Sequence, residues 1–254
     1  MSAGDGMNDK VVVITGASGG IGAALAELLA SRGMAVALIA RRGDALRTVA
    51  ARCGEKALPI VADVSQREEV RRVVMETLAH FGHVDVWVNN VGQGISRQPS
   101  ALTDDDIDTV MQVNVKSALY GMQEILPHFK ARGTGQVINV SSMLGRIPFA
   151  VIRSAYCGAK HFLNALTATF RTEIQATHPN IQFTLVSPGV VQTDFGLNAM
   201  HGGPDSRSFP NSQTAKEVAV VIAAAIESRR PDVYTRAGSQ GQVASYYHTV
   251  GIDP

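Results

Sequence analysis

Tyr156 and Lys160 stand four residues apart in the stretch Ser154-Ala155-Tyr156-Cys157-Gly158-Ala159-Lys160. On an α-helix this spacing puts a phenol and an ammonium group on one face. A free tyrosine, with a pKa of about 10, is a poor acid or base near neutrality. A nearby cation stabilises the phenolate and is expected to lower that value. A Tyr-x-x-x-Lys pair is therefore a device for passing a proton to or from an alcohol oxygen. One packed tyrosine and one solvated lysine would look the same in isolation, so the rest of the chain decides.

A second candidate lies near the N-terminus. Lys10 to Thr15 is a short β-branched run, expected for a strand buried on both faces of a parallel sheet. It leads into Gly16-Ala17-Ser18-Gly19-Gly20-Ile21-Gly22, and Ala23 to Arg32 then reads as a helix. Strand, glycine-rich turn and helix N-terminus make a phosphate cradle, with close backbone approach and free N–H groups. The spacing is G-x-x-x-G-x-G rather than G-x-G-x-x-G. A plain tight turn is the alternative, and the position directly after a buried strand favours the cofactor loop.

Ala35 to Ala40 is the next strand. An NAD-binding domain commonly carries an acidic residue near this strand's end to hold the ribose 2′-OH. Here Arg41 and Arg42 follow instead. They suit a 2′-phosphate, and a charge pair near 4 Å contributes at most about 4 kcal/mol at an effective dielectric of 20. NADP(H) is expected over NAD(H), although two exposed arginines at a loop start would read alike.

Further elements position further candidates. Asp44–Arg52 reads as a helix, and Ala57–Ala62 as a strand ending at Asp63, an acid that could meet an adenine amino group or cap the next helix. Arg67–Phe81 is helical by period, and Val84–Val88 is a strand ending in Asn89-Asn90-Val91-Gly92, whose asparagines read as braces for the strand end. Thr103 with Asp104 to Asp106 starts a helix expected to run to about Lys130. Asn114 sits mid-helix against propensity, and Pro127 could kink the last turn. Gln136–Val140 is a strand ending in Ser141-Ser142, either of which could face a ligand at the sheet edge, and the stretch 143–152 is apolar enough to line a pocket.

The Tyr-Lys helix is expected over 155–177, and the next strand over Ile181–Val186 leads into Pro188-Gly189 and Thr193. Residues 194–213 read as a mobile substrate loop. A helix over 214–228 and a short strand over 233–235 follow, and 236–254 receives no assignment. Strands and helices alternate without repeat or linker, which argues for one α/β domain over 10–254: a Rossmann-type, doubly wound parallel sheet of about seven strands.

Composition agrees. The chain has 254 residues, 45% hydrophobic and 18% charged, with a formal net charge of +1. This suits a single globular domain and points away from nucleic acid and anionic membranes as partners. No apolar stretch is long enough to span a bilayer. Residues 1–9 read as a flexible leader without a secretory h-region. Cys53 and Cys157 have no metal or redox spacing, so no metal site is expected and a reducing, cytoplasmic setting is.

Taken together these segments resemble the short-chain dehydrogenase/reductase family, from about Lys10 to Thr235. The matching pieces are Thr15-Gly16-x-x-x-Gly20-x-Gly22, Asp63, Asn89-Asn90-x-Gly92, Asn114, Ser141-Ser142, Tyr156-x-x-x-Lys160 and Pro188-Gly189 through Thr193. The resemblance implies that Tyr156 is the general acid/base as hydride moves between nicotinamide and a carbonyl carbon. Ser142 would hold the reacting oxygen, and Lys160 would lower the tyrosine pKa and bind the nicotinamide ribose. Asn114 would hold a water completing a proton relay. Gly16, Ser18, Gly20, Ile21 and Gly22 would face the cofactor phosphates and ribose, and Arg41 and Arg42 the 2′-phosphate. Asp63 and Val64 would meet the adenine. Asn89, with Gly92 nearby, would meet the adjoining ribose, and Val191 and Thr193, after Pro188 and Gly189, the carboxamide.

The chain departs from the family pattern at Val91, which replaces an alanine. The interval between Ser142 and Tyr156 is one residue longer than usual, which leaves Ser141 an alternative, and Gly158-Ala159 stands where Ala-Ser is common. The implied activity is NADP(H)-dependent interconversion of a small carbonyl compound and its alcohol, by a homotetramer or homodimer associating through the helices that carry Asn114 and Tyr156. An NAD(H)-linked alcohol dehydrogenase and a non-catalytic dinucleotide sensor are the alternatives. The family's extended branch fits the glycine spacing and length poorly. Met143, Leu144, Ile147, Pro148, Phe149, Phe195 and Met200 suggest an apolar-leaning substrate pocket.

Overall fold

A computed structural model describes residues 9–251, so of the expected leader only Asp9 lies within the described residues. Seven strands form one parallel sheet: β1 (Val11–Thr15), β2 (Ala35–Ala40), β3 (Ala57–Val61), β4 (Val86–Asn89), β5 (Gly135–Val140), β6 (Ile181–Ser187) and β9 (Asp232–Tyr234). Their order is β3-β2-β1-β4-β5-β6-β9. The chain moves outward in one direction from β1, then returns to place β4 on β1's other side. The reversal leaves a crevice at the C-terminal ends of β1 and β4, where ligands bind in open α/β sheets. The register pairs Ile14 with Val88 across that junction.

Helices α1 (Gly20–Ser31), α2 (Gly43–Cys53), α3 (Arg67–Phe81), α4 (Asp104–Met111), α5 (Ser117–Arg132), α6 (Ser154–Gln175), α7 (Ala215–Ser228) and α8 (Ser239–Val250) connect and flank the strands. Alternate residues of β1 serve opposite cores. Val12 and Ile14 face Leu25, Leu29 and Ile222 of α1 and α7. Val11 and Val13 face the side holding Val70, Val73, Met122 and Phe129 of α3 and α5. Burial on both faces explains why β1 and β2 read as nearly continuous apolar runs.

Three local features add to the expected elements. The helix beginning at Asp104 runs to Arg132, but a π-helical turn (Gln112–Lys116) separates α4 from α5, with Asn114 inside it. The stretch 194–213, expected to be mobile, makes contacts at its ends and in its middle. Strand β7 (Val191–Gln192) pairs with β8 (Gln213–Thr214), and Ile95 bridges to Met200. His201 Nε2 also lies 2.7 Å from the buried Asp106 carboxylate, which receives Arg97 at 2.7 Å. The unassigned tail contains α8, whose Tyr247 hydroxyl donates to the Arg146 carbonyl at 2.8 Å. That helix is mostly exposed and so carries no amphipathic period to read.

Candidate active site

The glycine turn is shaped by contact. Gly16 has φ +69°, and a Cβ on Gly22 would strike the Gly16 carbonyl. A side chain at either position would strain or close the turn at the head of α1. Helix α1 opens at Gly19 with no side-chain cap, leaving its first N–H groups available to an anion. Asn90 braces the turn from β4: its Nδ2 donates to the Thr15 carbonyl at 3.0 Å, and its backbone N–H to Thr15 Oγ1 at 2.9 Å. Thr193 closes over the same helix end, since a Cβ on Gly20 would sit 3.1 Å from Thr193 Cγ2.

The two arginines after β2 go separate ways. Arg42 Nη2 donates to Ser18 Oγ at 3.1 Å, joining the glycine turn. Arg41 extends to Asp63 at 3.9 Å and stays largely exposed. Asp63 Oδ1 accepts from the backbone N–H and the hydroxyl of Ser65, bracing the turn that starts α3. Asp63 thus serves the turn with one oxygen and Arg41 with the other, while Val64 beside it is buried. The Ser18–Arg42 contact joins residues 24 apart, and only the sheet order brings them together.

Asn89 points inward. Its Oδ1 accepts from the Trp87 indole at 2.7 Å, and its Nδ2 donates to Asn139 Oδ1 at 2.8 Å. The bracing expected of this asparagine is what its side chain does, so any contact with a ribose falls to its backbone. Gly92 lies at a junction: a Cβ there would be 3.2 Å from Asn114 Oδ1 and 3.6 Å from Lys160 Nζ. Asn114 is fully buried and grips Gln93 twice, accepting from its N–H at 3.1 Å and donating to its carbonyl at 3.0 Å. It also donates to the Val110 carbonyl at 3.0 Å. The widened turn and the polar residue within it thus hold the loop that passes beside Lys160.

The two serines point in different directions. Ser141 Oγ donates to Asn164 Oδ1, and Asn164 Nδ2 donates to the Gly145 carbonyl, which stitches the 143–145 turn to α6. Ser142 faces the other way: its hydroxyl accepts from the Leu144 N–H at 3.1 Å, and its nearness to the Tyr156 phenol favours the phenolate. The Met143 N–H donates to the Pro188 carbonyl at 2.7 Å, tying the serine turn to the Pro188-Gly189 turn.

Tyr156 and Lys160 are both buried in the first turns of α6. Lys160 Nζ donates to the Val140 carbonyl at 3.0 Å and stands 5.6 Å from the centre of the Tyr156 ring. Burial pushes the lysine down to about 8. Burial pushes the tyrosine well above its ordinary value, with Ser142 and Arg153 working in the opposite direction. This corrects the expectation of a lowered tyrosine pKa. The ammonium is aimed at Val140 rather than the phenol oxygen, and desolvation of the phenolate dominates. Phe195 lies against the tyrosine, ring centres 5.4 Å apart, in an apolar cluster with Leu144, Ile95 and Met200. Of the expected pocket residues, Met143 and Ile147 are buried and Phe149 is exposed.

No group of metal-ligating side chains exists among the described residues, and no described helix is long and apolar enough to cross a membrane. A parallel sheet with a glycine turn at its switch point, and a Ser-Tyr-Lys-Asn cluster beside it, defines a dinucleotide-dependent oxidoreductase class. The chain belongs to the short-chain dehydrogenase family, whose family model, described as short chain dehydrogenase, matches residues 10–201. It is 35% identical over 189 residues to an uncharacterized oxidoreductase of Staphylococcus saprophyticus, covering 74% of this chain and 76% of that one. An uncharacterized oxidoreductase of Bacillus subtilis is 31% identical over 249 residues, covering 93% and 67%.

Among solved structures, a short-chain dehydrogenase/reductase of Burkholderia phymatum in complex with NAD shares the fold. Its TM-score is 0.88 at 24% identity, with 98% of each chain covered. An alcohol dehydrogenase of Thermococcus sibiricus complexed with 5-hydroxy-NADP has a TM-score of 0.77 at 28% identity, covering 89% of this chain and 94% of that one.

Proposed function

We propose that the protein is an NADP(H)-dependent oxidoreductase that interconverts a carbonyl compound and its alcohol. The observation that carries this reading is the convergence of Ser142, Tyr156, Lys160 and Asn114 beside Gly92, next to the glycine turn. That turn, the uncapped head of α1 and Arg42 on Ser18 fit a phosphorylated dinucleotide. When bound, this cofactor supplies or accepts the hydride.

The chain's own residues handle the proton. The buried Tyr156 phenol stays protonated at neutral pH and gives its proton to the substrate oxygen, which the Ser142 hydroxyl holds. We assign Lys160, whose Nζ stands 5.6 Å from the centre of the ring, to offset part of the phenolate's charge against the larger cost of its burial. Lys160 then returns a proton through the polar loop that Asn114 holds at Gln93. In the alcohol-oxidising direction the same groups act in reverse. We assign Val64, Asp63 and the Asn89 backbone to the adenosine side, and Gly92, Pro188, Gly189, Val191 and Thr193 to the nicotinamide side, on their matching positions in the family.

A homo-oligomer associating through α5 and α6 fits the half-exposed Phe162 on α6, and a cytoplasmic setting fits the two free cysteines. The test is turnover with NADPH across a panel of ketones and aldehydes, repeated with Tyr156→Phe. The variant should lose about 10²- to 10⁴-fold in kcat, the usual range for a general acid or base, while NADPH binding is kept. A variant with near-full turnover would sink the assignment.

A further inference from the structure

Helix α6 carries a third polar side chain in line with Tyr156 and Lys160. Asn164 stands four residues beyond the lysine, so the three recur along one face of the helix. Asparagine is disfavoured in a helix interior by propensity, and this one is half-buried. Both partners of its amide belong to the turn that carries Ser142. Its Oδ1 accepts from Ser141 Oγ at 2.5 Å, and its Nδ2 donates to the Gly145 carbonyl at 2.7 Å. A carbonyl can only accept, which fixes the orientation of the amide and makes Ser141 the donor.

The two contacts straddle Ser142, one a residue before it and the other three residues after it. Lys160 adds a third hold one residue further back, at the Val140 carbonyl, 3.0 Å away. The turn has no slack against α6. A Cβ on Gly145 would lie 2.9 Å from Lys160 Cβ, 2.9 Å from Ser141 Oγ and 3.0 Å from Asn164 Nδ2. The end of β6 takes the backbone N–H groups of the same segment: Ser141 donates to the Val186 carbonyl and Met143 to the Pro188 carbonyl, each at 2.7 Å.

We propose that Asn164 is a positioning residue of this active site, holding the Ser142 hydroxyl in register with Tyr156 and the substrate oxygen. The claim rests on the reading of Ser142 as the group that holds that oxygen. Ser142 and Tyr156 come from different elements, so their separation is set by whatever ties the end of β5 to α6. Asn164 makes two of those ties from the helix that carries the tyrosine. A misplacement of about 1 Å in such a pair can cost about 10²-fold in rate. With its one proton committed to Asn164, Ser141 has none to give a substrate oxygen, which leaves that task to Ser142.

The experiment uses the full chain with NADPH and a carbonyl substrate that it turns over. Asn164→Leu keeps the side-chain size and removes both ties. It should lower kcat by about 10²-fold with NADPH affinity unchanged, and Ser141→Ala, which removes one tie, should cost less. The deciding measurement is a double-mutant cycle with Ser142→Ala. Loss of the serine hydroxyl should cost at least about 10-fold less in Asn164→Leu than in the wild-type protein. Asn164→Asp is nearly isosteric and keeps the test open should Asn164→Leu not fold. Its carboxylate can accept from Ser141 but faces the Gly145 carbonyl, whereas its protonated form restores both bonds. The kcat of Asn164→Asp relative to the wild-type protein should therefore fall as pH rises. Amide exchange in the cofactor-free protein reads the tie without turnover. The N–H groups of Leu144, Gly145 and Arg146, bonded within the turn, should exchange faster in Asn164→Leu.

Additive losses in the cycle, near-full kcat in Asn164→Leu, or a relative kcat of Asn164→Asp that does not change with pH overturns the positioning role. Full turnover by Ser142→Ala, with turnover lost in Tyr156→Phe, also overturns it and leaves the oxidoreductase reading standing. Faster exchange in Asn164→Leu, in a protein that turns over no carbonyl compound, would support Asn164 as the tie of this turn while refuting that reading. Unchanged exchange overturns the tie itself.

Discussion

Arg41 and Arg42 are neighbours in sequence, yet the end of β2 sends them to different partners. Arg42 spends its fork on Ser18 in the glycine turn, and Arg41 leans across to Asp63. The carboxylate beside Arg41 already balances part of its charge, whereas Arg42 faces a hydroxyl that a phosphate could share. The two arginines should therefore contribute unequally to cofactor choice. Arg42→Ala should weaken NADPH binding by at least about 10-fold, equivalent to about 1.4 kcal/mol, and leave NADH nearly unchanged. Arg41→Ala should do less. Fluorescence titration of each variant with both cofactors reads this directly, and equal losses for NADPH and NADH would remove the phosphate role. The arginine pair was legible in the sequence because its residue types differ from an acid. Its division of labour was not, because Ser18 and Asp63 reach it only through the pairing of β1, β2 and β3.

At the scale of elements, the strand-turn-helix unit at the N-terminus was the most legible part of the chain. A β-branched run followed by spaced glycines has few other outcomes, and the structure shows the steric reason in Gly16 and Gly22. Gly22→Ala should put a methyl group against the Gly16 carbonyl and push α1 off the turn. Both dinucleotides should then bind at least about 10-fold more weakly, whatever their phosphate. Gly158→Ala, where an added Cβ meets nothing within 4 Å, is the matched control on α6 and should bind as the wild-type protein does. Unchanged cofactor affinity in Gly22→Ala would show that the turn does not have to close on itself to work.

Other elements were not legible for a definable reason. The π-helical turn at Asn114 has the same apolar period on either side as an unbroken helix. Its only signal was a polar residue where propensity disfavours one. The direction of Ser141 depends on Asn164, a partner on another element.

For the whole molecule, the alternation of strands and helices gave the sheet and its layers, and the family pattern placed the site at the switch point. What neither showed is how the burial of Lys160 weighs against the fold. Lys160 is a buried cation held by one carbonyl, with its pKa pushed down from 10.5 to about 8. A displacement of that size corresponds to about 3 kcal/mol of preference for the neutral form. Below about pH 8 the lysine is charged in both folded and unfolded chains, and the folded state bears the whole penalty. Between about 8 and 10.5 the unfolded chain holds the proton more tightly than the folded one, so this contribution makes stability rise with pH.

Lys160→Met should therefore be more stable than the wild-type protein at pH 7, with the gap closing as pH approaches 10, although the variant loses turnover. Tyr156 and the two cysteines, whose pKa values burial raises, pull the other way at high pH. They are present in both proteins and drop out of the difference. Urea denaturation of the pair at pH 7 and pH 10 measures it. A gap that stays constant or widens with pH would mean that Lys160 is not held charged against its surroundings, and its place beside Tyr156 would then need another account than the stabilisation of a phenolate.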